Sequence, residues 1–116
     1  MSDQQQAVTI RRQAIDLLAR REHSCFELSR KLITRGAEEP LVEQLMSELQ
    51  REGLLSDKRF AECFVRSRYN KGYGPYRIRM ELQERRVDEA IINEFLYSDE
   101  WDWLDLAIEE RSKRFG

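Results

Sequence analysis

Apolar residues recur along this chain at the three- and four-residue spacing of an α-helix, and strand-like alternation is almost absent. The first helix is predicted from about Ala7 to Arg21. Its buried stripe consists of Ile10, Ala14, Leu17 and Leu18. The pattern predicts an all-α fold.

Local signals mark the next two helices. Ser24 and Glu27 have the spacing of a capping box, in which each side chain accepts a hydrogen bond from a free backbone N–H group. Gly36 ends this second helix, because glycine adopts the left-handed cap conformation without strain. Pro40 fits the first turn of a third helix, which ends near Gly53. The predicted inward positions are Leu28, Leu32, Leu41, Val42, Leu45, Met46 and Leu49.

The same order of signals then returns. Ser56 or Asp57 can cap a fourth helix that stops near Gly72, and Gly74-Pro75 begins a fifth. Asp88 caps a sixth. The positions predicted to be buried in these three helices are Phe60, Ala61, Phe64, Val65, Ile78, Leu82, Ile91, Ile92 and Phe95.

These helices form an internal repeat. Placing Ala14 on Ala61 brings Leu28 over Ile78, once three extra loop residues are allowed in the second copy; the same shift brings together Leu32 with Leu82, Val42 with Ile92 and Leu45 with Phe95. We therefore expect tandem three-helix repeats in an elongated arrangement. The expected divisions are a flexible tail (1–6), repeat one (7–53), repeat two (54–97) and the first helix of an incomplete repeat three (98–116), which carries Trp101, Leu104, Ala107 and Ile108.

Composition narrows the class of protein. The chain has 116 residues, of which 36% are charged and 41% hydrophobic, as expected of a soluble helical protein. No apolar run approaches the roughly 20 residues of a membrane span, and residues 1–6 lack the features of a secretory signal, so a cytoplasmic location is expected. Cys25 and Cys63 are too far apart for a zinc ribbon or a redox Cys-x-x-Cys motif.

The charges are unevenly distributed. The formal net charge is only −2, yet residues 59–86 carry 8 basic and 3 acidic side chains, whereas residues 87–116 carry 3 and 9. A basic middle beside an acidic end indicates contact with a charged polymer or a charged protein surface.

One run of residues is distinctive. The segment Lys71-Gly72-Tyr73-Gly74-Pro75-Tyr76-Arg77-Ile78-Arg79, followed by Glu81-Leu82, resembles the central signature of the bacterial RecX family of recombination regulators. Weaker similarity is present at Arg21-Glu22-His23-Ser24 and at Gly53-Leu54-Leu55. The sequence departs from the family at Arg86, where a helix-stopping glycine is usual, and in a third repeat that is shortened.

The resemblance implies a non-enzymatic protein without cofactors. Family members bind the RecA recombinase, lie in the groove of the RecA–DNA filament and suppress filament growth, ATP hydrolysis and strand exchange, which links them to homologous recombination, DNA repair and the SOS response. Some members also touch DNA. For this chain the expected partners are thus RecA and the RecA–DNA filament, with weak direct DNA contact and a monomeric state. Capping of filament ends and coating of the filament both stay open.

The candidate partner- or DNA-binding residues belong to the basic segment. Guanidinium groups stay ionised and can bind a carboxylate or phosphate through two hydrogen bonds. Helical geometry places Arg79 and Arg86 on one side of the fifth helix. The alternative is a solvated face with salt bridges, such as Arg77 to Glu81. The candidates are Arg59, Arg66, Arg68, Lys71, Tyr73, Arg77, Arg79 and Arg86.

No catalytic or metal-binding constellation is predicted. His23 is the only histidine, and Gly72-Tyr73-Gly74 lacks the Lys-Ser/Thr and the preceding strand of a nucleotide-binding loop. We therefore expect no enzyme activity. The alternative is that the chain is a helix-turn-helix DNA-binding protein. The negative net charge and the lack of one dominant basic recognition helix argue against this alternative.

Overall fold

The computed structural model describes residues 2–104, and within that range all regular secondary structure is helical. The helices are α1 (Asp3–Arg20), α2 (Cys25–Thr34), α3 (Glu39–Arg51), α4 (Asp57–Asn70), α5 (Pro75–Glu84) and α6 (Glu89–Leu96). The all-α prediction is confirmed. The predicted seventh helix, including Ala107 and Ile108, falls largely outside the described residues.

The chain divides into two compact units, residues 1–60 and 61–116. In the first unit α1, α2 and α3 pack against one another around an apolar core. The buried side chains of that core are Ile10, Ala14, Leu17, Leu28, Leu32, Val42, Leu45, Met46, Leu49 and Leu55. In the second unit α5 packs against α6. Its buried apolar side chains are Ala61, Val65, Ile78, Leu82, Val87, Ile92 and Leu96.

The predicted start of the first helix and several predicted core positions are wrong. Three side chains predicted to be buried or inward are half-buried: Leu18, Leu41 and Phe64. The first helix begins at Asp3 and not at Ala7, because Ser2 and Gln5 form a capping box that the sequence reading missed; residues 3–6 are thus helical. In α6 only Ile92 of the three predicted core positions is fully buried, whereas Ile91 and Phe95 are half-buried. An eight-residue helix buries a narrow stripe, and Leu96 completes it.

The helix ends use one recurring turn. Gly36, Gly53 and Gly72 follow α2, α3 and α4 with φ values of 99°, 77° and 89°. Arg86 takes the same left-handed conformation after α5, with φ of 57°. The residue after it, Val87, donates its N–H to the carbonyl of Leu82 at 3.2 Å, so α5 ends by the same turn at a backbone cost of roughly 1 kcal/mol.

The start of α4 connects to the start of α2 within the first unit. Ser56 caps α4, since its Oγ accepts the N–H of Arg59 at 3.1 Å. The neighbouring Asp57 is thereby free to accept the N–H of Cys25, in the first turn of α2, at 2.7 Å. Burial raises the pKa of Asp57. This carboxylate therefore satisfies a donor of a distant helix and not one of its own.

Candidate partner-binding surface

An arginine–aromatic cluster, defined as Phe64, Arg68, Tyr73, Arg77 and Arg85, lies on the second unit. Phe64 and Arg68 are one turn apart on α4, and Tyr73 lies in the turn before α5. Arg77 lies in the first turn of α5, and Arg85 is the C-cap residue at its end. The short glycine-flanked turn brings these two helices' side chains together.

Guanidinium groups and rings alternate through the cluster. The Arg68 Cζ lies 4.5 Å from the ring centroid of Phe64 and 5.5 Å from that of Tyr73. Arg77 Cζ lies 3.8 Å from the Tyr73 centroid, and Arg85 Cζ lies 4.8 Å from the Phe64 centroid. Each contact of this kind contributes about 0.5–1 kcal/mol at an exposed site, so the arrangement holds three positive charges close together.

A single carboxylate lies between two of these arginines. Glu81 Oε2 accepts the Nε–H of Arg68 at 3.1 Å, and Glu81 Oε1 is 3.4 Å from the Nε of Arg77. The Arg68 side chain is 22% exposed and is held internally, whereas that of Arg77 is 64% exposed. Arg77 is therefore the member of the cluster best placed to bind an external carboxylate or phosphate.

Arg79 serves a different purpose. Its guanidinium pairs with Glu89 and donates to Asn93 Oδ1 at 2.6 Å and to the Tyr97 hydroxyl at 3.2 Å. The hydrogen bond to Tyr97, with the charge of Glu89, raises the pKa of Arg79. With a side chain only 19% exposed, Arg79 joins α5 to α6 and points away from the line that its sequence spacing suggested.

Arg66 meets the residues that follow α6. It pairs with Glu62 at 3.7 Å and Glu100 at 3.0 Å, and its Cζ lies 5.4 Å from the ring centroid of Trp101. The indole N–H of Trp101 donates to the Phe95 carbonyl at 2.8 Å. Trp103 likewise donates to the carbonyl of Leu96 at 2.9 Å. The two tryptophans thus satisfy carbonyls at the end of α6.

The remaining candidates are dispersed. Arg59 belongs to the first unit, where it pairs with Glu22 at 2.8 Å and donates to the carbonyl of Gly53 at 3.0 Å. Lys71 is exposed in the turn between α4 and α5, beside the cluster in sequence. Arg86 is exposed at the end of α5.

The structure thus groups Arg68, Tyr73 and Arg77 of the predicted site. Sequence reasoning did not assign Arg85 or Phe64 to it. The available signal was helical spacing: Phe64 lies four residues before Arg68, and Arg85 four residues after Glu81. An aromatic residue at a helical spacing was read as core, although Phe64 is half-buried beneath two arginines.

The histidine is structural. His23 is 1% exposed, and its Nε2 is 2.9 Å from Lys31 Nζ. An ammonium group can only donate, so Nε2 accepts and Nδ1–H donates to the Arg21 carbonyl at 3.1 Å. Burial lowers the pKa of His23 and favours this neutral form. Residues 2–104 contain no group of three potential metal ligands, and none of their helices is long and apolar enough to span a membrane.

Family models match both repeats. The model described as RecX, first three-helix domain, matches residues 11–49, and RecX, second three-helix domain, matches residues 56–96. This chain belongs to the RecX family. The tandem three-helix prediction is confirmed with it.

Individual RecX proteins agree with this assignment. Regulatory protein RecX of Pseudomonas entomophila (strain L48) is 48% identical over 109 residues, which cover 94% of this chain and 70% of that protein. Its counterpart in Halorhodospira halophila (strain DSM 244 / SL1) is 48% identical over 107 residues, which cover 92% and 66%.

Solved structures show the same fold. The crystal structure of RecX from Lactobacillus salivarius has a TM-score of 0.82 at 22% identity and covers 94% of this chain and 72% of that one. A second crystal structure of regulatory protein RecX has a TM-score of 0.75 at 24% identity and covers 81% and 47%.

Proposed function

We propose that this RecX-family chain binds the RecA recombinase in its DNA filament and restrains filament growth, ATP hydrolysis and strand exchange. Membership of a family of regulatory proteins supports the regulatory role. The observation that carries the partner assignment is the arginine–aromatic cluster, in which three guanidinium groups accompany two carboxylates, those of Glu81 and Glu84. This is a binding function and not an enzymatic one, and we place it in the cytoplasm.

The cluster has a chemistry suited to such a partner. Arg77 presents an exposed guanidinium that is held by the Tyr73 ring, so it loses little freedom when it binds a carboxylate or phosphate. Lys71 adds a second exposed positive charge in the adjacent turn. An acidic protein surface or a phosphate-lined groove would meet both groups.

The same geometry argues against sequence-specific duplex recognition. Arg59, Arg66, Arg68 and Arg79 each pair with a carboxylate of this chain, as Arg77 does with Glu81, and of these five side chains that of Arg77 is the most exposed. A recognition helix in the major groove needs several side chains directed at base edges. With these arginines engaged, we propose weak contact with bare duplex DNA and a monomeric chain that recognises the assembled filament.

The experiment is RecA-catalysed ATP hydrolysis dependent on single-stranded DNA, titrated with this chain. We expect inhibition, and we expect the amount required to rise with salt because ions screen the charged contacts. Inhibition at amounts far below RecA would indicate capping of filament ends, and inhibition only near saturation would indicate coating.

Bare duplex DNA is the control. We expect weak binding to it in the absence of RecA. Unchanged ATP hydrolysis at saturating chain, or tight duplex binding without RecA, would overturn the proposal, and the second result would favour a helix-turn-helix DNA-binding protein.

A further inference from the structure

The outward side of α5 exposes a row of large side chains. Tyr76 is 76% exposed and Met80, one turn later, is 45% exposed. Arg77 lies beside them. We name Tyr76, Arg77 and Met80 the α5 outer face.

Core packing fixes the direction of this face. Ile78 and Leu82, on the opposite side of the helix, are fully buried. Most of the Tyr76 side chain and nearly half of the Met80 side chain therefore lie outside the core of the second unit. Tyrosine, methionine and arginine are the residue types enriched at the centres of protein interfaces.

We propose that the α5 outer face is the surface by which this chain docks on the protein component of its target, with Tyr76 as the apolar anchor and Arg77 as the charged contact. The complementary surface is an apolar pocket bordered by a carboxylate. This inference rests on the proposed function, because it assigns a docking face to the RecA filament partner.

Charge favours a protein over a nucleic-acid strand at this face. Glu84 follows Met80 by one turn and has a side chain that is 69% exposed. Glu84 lies 3.9 Å from Arg85, so this end of α5 carries charges of both signs, whereas a phosphate backbone carries negative charge only. A protein surface can place a carboxylate against Arg77 and a basic or polar group against Glu84.

The first unit offers a natural comparison. Phe26, Glu27 and Arg30 occupy the corresponding positions of α2. Phe26 is 37% exposed, half the value for Tyr76. Glu27 is occupied with the Ser24 cap and with Arg21. The corresponding face of α2 therefore lacks the projecting apolar anchor, and its exposed positive charge, Arg30, lies at the position of Met80 and not at that of Arg77.

The test compares two double variants of the full chain. Tyr76→Ala with Met80→Ala removes the apolar pair, and Phe26→Ala with Arg30→Ala is the control at the matched positions. Affinity is measured for RecA filaments on a single-stranded oligonucleotide and for that oligonucleotide without RecA, and circular dichroism verifies helical content. We expect the first variant to lose about tenfold in filament affinity, equivalent to about 1.4 kcal/mol, and the control to stay within about twofold.

Further readouts separate the alternatives. The loss from Tyr76→Ala and Met80→Ala persists at high salt if the contact is apolar, and bare oligonucleotide binding does not change. If the wild-type chain inhibits RecA and the Tyr76→Ala, Met80→Ala variant binds the filament as tightly as the wild type, the docking face is overturned and the proposed function stands. If the variant also loses affinity for the bare oligonucleotide, the face is a base-stacking surface. If the wild type is a dimer and the variant is a monomer, the face mediates self-association. Either result overturns the inference. A wild type that neither binds nor inhibits RecA would overturn the proposed function itself.

Discussion

The two repeats begin their second helices differently. In α2, Ser24 and Glu27 form a complete capping box. At the corresponding positions α5 has Gly74, without a side-chain cap, and Arg77, which rests on Tyr73. Both helices nevertheless have ten residues and bury two apolar side chains. Core packing therefore maintains α5, and the position that completes the capping box in the first repeat holds in the second an arginine whose side chain is 64% exposed.

The C-terminal ends of α2 and α5 also differ, and again the second repeat has the less stabilising residue. Gly36 follows α2 and Arg86 follows α5, both with positive φ. The first repeat uses the residue that takes this conformation without strain, whereas the second accepts strain and keeps a positive charge. At both ends of this helix the second repeat is locally less optimised for stability.

The two cores should respond alike. Leu32 and Leu82 are both fully buried at matched positions. Leu32→Ala and Leu82→Ala should each lower the free energy of unfolding by about 2–5 kcal/mol, through lost burial and a residual cavity. Urea unfolding followed by circular dichroism measures this. An unchanged midpoint in either variant would show that the two cores are not equivalent.

The helix starts should respond in opposite directions. Ser24→Ala should cost about 1 kcal/mol, since the capping oxygen is lost. Gly74→Ser should stabilise by about 0.5 kcal/mol, because φ is −78° and an added Cβ meets no atom within 4 Å. The same unfolding experiment applies. Destabilisation by Gly74→Ser would contradict the view that α5 is an uncapped version of α2.

The helix ends provide the finest comparison. Gly36→Arg should destabilise by about 1 kcal/mol from backbone strain alone, because a Cβ there meets no atom within 4 Å. Arg86→Gly should stabilise by a smaller amount, about 0.5 kcal/mol, because glycine also gains freedom in the unfolded chain. Thermal unfolding of the pair measures both shifts. If both variants shift the unfolding temperature in the same direction, the C-terminal ends of α2 and α5 are not equivalent.

Helices and their boundaries followed from local sequence. Helix ends and starts are set by residues that act on the neighbouring backbone, such as Gly36, Gly72 and Pro75, so they can be predicted from the sequence. The buried residues of α2 and α5 followed from helical period, for the same reason. The true start of α1 could also have been predicted from local sequence, since Ser2 and Gln5 have capping-box spacing.

The site depended on packing that the sequence alone does not specify. Spacing put Arg79 and Arg86 on one side of a helix, but only the packing of α6 against α5 brings Glu89 and Tyr97 to Arg79. Likewise, the hydrogen bond from Cys25 to Asp57 joins residues distant in sequence. The partner remains a proposal because no local pattern encodes the surface on which this chain docks.

The most direct measurement is the affinity of two charge-neutralised variants for the RecA filament. Lys71→Gln with Arg77→Gln removes two exposed charges from the second repeat, and Arg12→Gln with Arg30→Gln removes two exposed charges from the first. Because a charged contact at an interface is worth about 1 kcal/mol or more, we expect about tenfold weaker binding for the first variant and a change within about twofold for the second. Equal losses, or no loss in the first variant, would contradict a binding role centred on the second repeat.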